Sequence, residues 1–184
     1  MRRNVEVKAR LRALAAARGA AERLGGAARA QGQGQAQGQG LVQADTFFRV
    51  PRGRLKLRRT PDGRGELIFY ERPDTAGPKL SHFTITPTDD PDGLEAVLTQ
   101  ALGVLGVVRK ERLLYLVGQT RVHLDSVEGL GDFVELEVVL TEEQTVEDGE
   151  RVAHQLMKEL GIEEEDLISG AYLDLLLAKG DSSS

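Results

Sequence analysis

Glu135 and Glu137 lie two residues apart in "FVELEVVL", and Asp125 lies in the preceding segment "TRVHLDSV". In an extended chain residues i and i+2 share a face, so Glu135 and Glu137 point one way and Val134, Leu136 and Val138 the other. Carboxylates gathered on one face repel unless a cation sits among them. Their hard oxygen atoms suit Mg²⁺ or Mn²⁺. A second group has the opposite sign. Arg54, Lys56 and Arg58 alternate with Leu55 and Leu57 in "GRLKLRR", and Lys110 and Arg112 stand two apart in "RKERLLYLV". Converging Arg and Lys side chains suit a polyphosphate, through charge-assisted hydrogen bonds. Together the groups describe a nucleotide or triphosphate held by cations on one side and by metal and carboxylates on the other. Chemistry there would rest on positioning and on charge neutralisation at phosphoryl oxygens. No G-x-x-x-x-G-K-[ST] occurs, which excludes a P-loop enzyme.

These residues need strands to carry them, and the chain supplies eight stretches of extended character, near 4–12, 41–50, 53–60, 65–72, 80–87, 107–117, 119–128 and 131–140. In "RNVEVKARL", Val5, Val7 and Ala9 alternate with Asn4, Glu6 and Lys8. In "ELIFYER", Glu66 and Arg72 share a face with Ile68 and Tyr70, and in "TRVHLDSV" Arg121, His123 and Asp125 share theirs. Short links such as Pro51 to Gly53, Asp62 to Gly65 and Gly118 predict antiparallel neighbours. Helical patterns occupy 13–26, 94–103 and about 145–160, the last carrying Val152, Leu156 and Leu160 with Gly161 as a stop. The architecture expected is α+β: an antiparallel sheet or barrel with helices packed outside. Alternation alone cannot distinguish a solvated sheet face from the polar lumen of a barrel. The lopsided signs favour a lumen, since a solvated strand more comfortably mixes charges.

A length of 184 residues bounds this to one domain, over about 1–180, with a real core. "AQGQGQAQGQG" cannot bury apolar area, so a low-complexity loop is expected at about 27–40, and a disordered tail over 181–184. The chain has no Cys, which excludes disulfides and thiolate metal sites. A net charge of −5 argues against binding a nucleic acid polymer, and no apolar run reaches membrane-spanning length. A cytoplasmic location, no membrane, and a monomer or homodimer are the expectations.

Taken together, "NVEVKARL", "DTFFRVPRGRLKLRR", "ELIFYERPD", "VVRKERLLY", "TRVHLDSVEGLGDFVELEV" and "LISGAYLDLLL" resemble the CYTH family, the triphosphate tunnel metalloenzymes, over about residues 4 to 177. That family includes class IV adenylate cyclases, thiamine triphosphatases and inorganic tripolyphosphatases. The resemblance implies an eight-stranded antiparallel β-barrel forming a triphosphate tunnel, flanked by helices, with a charged lumen that binds a triphosphate and Mg²⁺ or Mn²⁺. Glu6 and Lys8 match the last two members of an E-x-E-x-K signature and are the catalytic candidates. Arg54, Lys56, Arg58, Arg72, Lys110, Arg112 and Arg121 are the substrate-binding candidates. Glu6, Asp125, Glu135 and Glu137 are the metal candidates. Asn4 departs from the signature, standing where the first Glu would be.

Three functions follow for comparison: a metal-dependent triphosphatase, an adenylate cyclase making cyclic AMP from ATP, and a polyphosphate- or nucleotide-binding protein without turnover. Hydrolysis is favoured because it needs no base pocket, and aromatics able to stack a base are few: Phe47, Phe48, Phe69, Tyr70 and Phe83. His123 is expected to hydrogen-bond a phosphate or carboxylate. Tyr172 either closes a tunnel end or packs its helix on the barrel. Lys79 and His82 are expected in or near a solvated loop.

Overall fold

A computed structural model describes residues 2–24, 41–73 and 75–182. The expected Gly/Gln loop at 27–40 lies outside the described residues. Eight strands form: β1 (Arg2–Arg10), β2 (Leu41–Phe48), β3 (Arg54–Arg59), β4 (Gly65–Glu71), β5 (Lys79–Thr88), β6 (Val104–Val117), β7 (Thr120–Val127) and β8 (Gly131–Val139). The helices are α1 (Leu14–Arg23), α2 (Pro91–Leu102), α3 (Val146–Glu159) and α4 (Tyr172–Ser182), with a 3₁₀ turn at Glu164–Asp166. α4 takes in residues 181 and 182 of the expected tail.

The strands close into an antiparallel barrel in the order β1-β5-β4-β3-β2-β6-β7-β8, and β8 returns to β1. Closure removes every sheet edge and gives each strand an inner and an outer face. On β1, Val5, Val7 and Ala9 point out. They meet Val122, Leu124, Val134, Leu136 and Val138 of β7 and β8 under Ala17 and Ala21 of α1 and Ala153, Leu156 and Met157 of α3. The core therefore lies between the barrel wall and these helices, and the charged alternate positions of those strands are forced inward.

α3 starts where Thr145 and Asp148 cap each other: the Thr145 Oγ1 accepts from the Asp148 N–H at 3.2 Å, and the Asp148 carboxylate accepts from the Thr145 N–H at 2.8 Å. Its close approach to β1 and β8 requires Gly149, where an added Cβ would stand 2.5 Å from Val5 Cγ2. α4 covers the barrel end that carries the β2–β3 and β4–β5 links. There Leu173 and Tyr172 join Phe47, Tyr70 and Phe133 in a second apolar cluster. Leu173 can sit so low because residue 106 is glycine; a Cβ there would lie 2.6 Å from Leu173 Cδ1.

Candidate triphosphate tunnel

The closed barrel surrounds a cavity of about 420 Å³ reached from strands all around the wall, large enough for a small ligand. The lumen is electrostatically divided. On the β2–β3–β6 side, Asp45 is buried at the centre of a cationic group. Arg58 grips it with Nε to Oδ1 and Nη2 to Oδ2, both at 2.9 Å, Lys110 Nζ donates to Oδ2 at 3.3 Å, and Lys56 Nζ stands 3.6 Å away. Burial alone would raise the Asp45 carboxyl; Arg58, Lys110 and Lys56 hold it well below the ordinary carboxylate range. One carboxylate serves three cations, so this wall keeps a positive surplus. Burial and the neighbouring Arg112 push Lys110 down to about 8, and burial with Arg58 lowers Lys56 well below an ordinary lysine.

The β1–β8 wall has the opposite surplus. Glu6 pairs across the ladder with Glu137, and Lys8 with Glu135. Glu6, Glu135 and Glu137 each bring a carboxylate oxygen to within 4.8 Å of the others. Burial, then repulsion from Glu137 and Glu135, raises the Glu6 carboxyl to about 7 even though Arg72 Nη1 donates to it at 2.6 Å. Burial works the same way on Glu135 and Glu137, but nearby positive groups win. Lys8 and Arg112 hold Glu135 well below its ordinary value, and His123 holds Glu137 at about 2. Both oxygens of Glu137 are engaged: His123 Nε2 donates to Oε1 at 2.5 Å and Asn4 Nδ2 to Oε2 at 3.1 Å. The Asn4 Oδ1 is buried without a partner. Burial and Arg112 lower His123 from its usual value. Three oxygen-donor side chains in mutual repulsion, beside an orphaned amide oxygen, fit a hard divalent cation.

Between the walls stands Lys8, buried, 3.7 Å from Glu135 and 3.7 Å above the centre of the Tyr172 ring. Burial, only partly offset by Glu135, lowers its ammonium to about 8.

The structure places the remaining candidates as follows. Arg72 and Arg121 line the cavity, Arg121 directly across the ladder from Glu137. Arg112 also lines it, but its guanidinium is committed: it donates twice to Asp125 at 2.7 Å and once to Glu135 at 3.4 Å. Asp125 lies outside the three-carboxylate group and also accepts from the Tyr172 hydroxyl at 2.8 Å. Arg54 pairs with Asp174 at 2.5 Å and lines an adjoining pocket under α4 with Tyr70, Arg72 and Ala171, not the central cavity. Tyr172 both roofs the lumen and packs in the apolar cluster, so its two expected roles coexist.

Lys79 is not solvated; it begins β5, is 5% exposed, and its Nζ donates to the Thr75 carbonyl at 2.6 Å. Asp45 was not among the candidates, although its alternation with Gln43 and Phe47 on β2 was a usable signal: an acid at the middle of a strand must be solvated or paired.

The CYTH domain family model matches residues 2–172. Among solved structures, the PH1012 protein of Pyrococcus horikoshii OT3 superposes with a TM-score of 0.80 at 25% identity, covering 94% of this chain and 98% of its own. A conserved hypothetical protein of Pyrococcus furiosus gives 0.79 at 22% identity, covering 94% and 99%. A Vibrio parahaemolyticus protein described as a "putative adenylate cyclase" gives 0.75 at 18% identity, covering 94% and 97%. No curated protein sequence matches the chain.

Proposed function

Since this chain belongs to the CYTH domain family, whose members generally act on triphosphates, we propose that it is a divalent-metal-dependent hydrolase of a triphosphate bound within the barrel. One observation carries the reading: a single cavity sets a cation surplus around Asp45 opposite a carboxylate surplus at Glu6, Glu135 and Glu137. A triphosphate with its cation fills both deficits at once. Lys56, Arg58, Lys110 and Arg121 would hold phosphate oxygens, with Arg72 reaching the same cavity while bonded to Glu6. Mg²⁺ or Mn²⁺ bound by Glu6, Glu135 and Glu137 would neutralise charge developing on the phosphoryl oxygens.

Lys8 is the proton acceptor in this scheme. An amine lowered to about 8 is partly neutral near physiological pH and can accept a proton as water attacks the terminal phosphorus. The phosphorus–bridging oxygen bond breaks, diphosphate or its ester leaves, and the proton rests on Lys8 beside the Glu135 carboxylate. Tyr172, packed against the Lys8 ammonium, keeps that side chain at its place and bulk water out.

A second reading has support of its own. Phe47, Tyr70 and Phe83 all reach the cavity, so a base has apolar surface to lie on, and the Vibrio parahaemolyticus neighbour is described as a cyclase. Cyclisation would use the same residues on a ribose hydroxyl attacking the α-phosphorus. The test is product analysis with tripolyphosphate, thiamine triphosphate and ATP in the presence of Mg²⁺ or Mn²⁺. Orthophosphate release supports hydrolysis, cyclic AMP supports the cyclase, and binding without any product refutes both.

A further inference from the structure

The lumen holds two Arg–Asp clamps, and they differ in what surrounds them. Arg112 donates to both Asp125 oxygens at 2.7 Å and also to Glu135, so one guanidinium serves two carboxylates. At Asp45 the ratio is reversed. Arg58, Lys110 and Lys56 converge on one buried carboxylate, and all four side chains line the cavity. β2 lies between β3 and β6 in the barrel, so Asp45 meets cations from the strand on either side.

The Asp45 contacts are those a phosphoryl group would make. A guanidinium edge offers two parallel N–H donors and takes a carboxylate or a phosphate through the same pair. Arg58 has given that edge, Nε and Nη2, to the two Asp45 oxygens at 2.9 Å each. Arg58 alone therefore satisfies the carboxylate, much as Arg112 does at Asp125. Lys110, at 3.3 Å, and Lys56, at 3.6 Å, are surplus to it. Buried cations in excess call for a further anion, and the Asp45 carboxylate stands on the donors that this anion would use.

We infer that the Asp45 carboxylate is a built-in counter-anion that occupies a phosphoryl seat of the lumen, so that every phosphate ligand binds there in competition with it. This rests on the triphosphate reading above and adds to it a residue that sets affinity. Without ligand, the carboxylate keeps the buried cations neutralised and together. An arriving phosphoryl group must take the Arg58 edge from Asp45 or stand beside a like charge, and either one weakens binding. A triphosphate has further phosphoryl groups to place, near Arg121 and the Glu6–Glu135–Glu137 wall, and these tether it. Diphosphate and orthophosphate have fewer, so the carboxylate displaces them more readily. Asp45 thereby favours release of products.

The experiment is titration calorimetry with diphosphate and with tripolyphosphate in EDTA, which prevents metal-dependent turnover. Asp45→Asn removes the competing charge and is expected to bind both anions about tenfold more tightly than the native protein does. A charge-balanced comparison decides the matter where Asp45→Asn alone does not fold. Lys56→Met leaves Arg58 and Lys110 facing Asp45; Lys56→Met combined with Asp45→Asn leaves the same two cations and no carboxylate. The double variant is expected to bind diphosphate about tenfold more tightly than Lys56→Met does. Equal or weaker binding by the double variant overturns the competition: Asp45 then serves only to align Arg58, and the triphosphate reading stands. Binding of neither anion by the native protein overturns both.

Discussion

The Asp45 group and the Glu6–Glu135–Glu137 group face each other across one lumen and solve opposite problems. At Asp45 a single buried carboxylate is surrounded by Arg58, Lys110 and Lys56, and the environment makes it a stronger acid. At the other wall three carboxylates share a few donors, and one of them, Glu6, becomes a much weaker acid. Both sites are buried, so desolvation penalises charge in each; the sign of the neighbours decides the outcome. On the proposed function, Asp45 serves to assemble cations, whereas Glu6, Glu135 and Glu137 are held under repulsion until a cation arrives. It also makes opposite forecasts for similar substitutions.

The sharpest test of the functional side is Glu135→Gln with Glu137→Gln. Losing two anionic ligands should lower metal-dependent turnover by about 10³-fold or more, since charge neutralisation by a metal is worth several kcal/mol. Product release assayed with saturating Mn²⁺ checks it, and unchanged activity would remove the metal assignment. On the structural side, Asp45→Asn strips the counter-charge from buried cations and should cost about 3–5 kcal/mol. For a chain of this size that lowers Tm by on the order of 10 °C. Added tripolyphosphate should restore part of the loss, because it supplies the missing negative charge and binds only the folded state. A melting curve with and without the anion reads both effects.

Glu6→Gln should do the opposite of Asp45→Asn and stabilise the metal-free protein. The Glu6 carboxyl is raised from 4.5 to about 7, so between these values the folded state binds more protons than the unfolded state and stability falls as pH rises. By pH 7 the accumulated cost is roughly 3 kcal/mol. His123 is shifted the other way and opposes this trend. The difference between the native protein and Glu6→Gln, measured by denaturation in EDTA from pH 5 to 7, removes that contribution. A flat difference would show that Glu6 is not held under repulsion. The smallest effect belongs to Arg54→Ala. Its partner is Asp174, both groups are about a quarter to a third exposed, and such pairs are worth at most about 1 kcal/mol. Triphosphate affinity should change less than threefold, whereas Arg58→Ala, which opens the Asp45 group, should weaken it far more.

Much of the fold was legible because strand periodicity is local. Each of the eight extended stretches became a strand with ends shifted by only a few residues. β6 is the largest departure, starting at Val104 rather than 107, where Gly106 lets the strand pass beneath Leu173. Charge pattern also singled out Glu135, Glu137, Lys56, Arg58 and Lys110, all of which line the cavity. Asp45 escaped because a lone acid on a strand carries no local mark of its partners, which come from β3 and β6. Lys79 escaped because turn-forming residues just before it read as a loop.

From the sequence alone came the strands, the outer helices, and which residues share a face with which. Alternation with period two settles that much without reference to the rest of the chain. It could not settle whether the charged face looks to water or inward. That was decided when β1 paired with both β5 and β8: closing the sheet turns one face of every strand inward, and α1 and α3 claim the apolar face outside. Only then do Arg58 and Lys110, 52 residues apart in number, meet on one carboxylate, and only then does Asn4 lie against Glu137. Charges that repel or attract do so through space, and the distances between strands are set by ladder pairing that no single strand encodes.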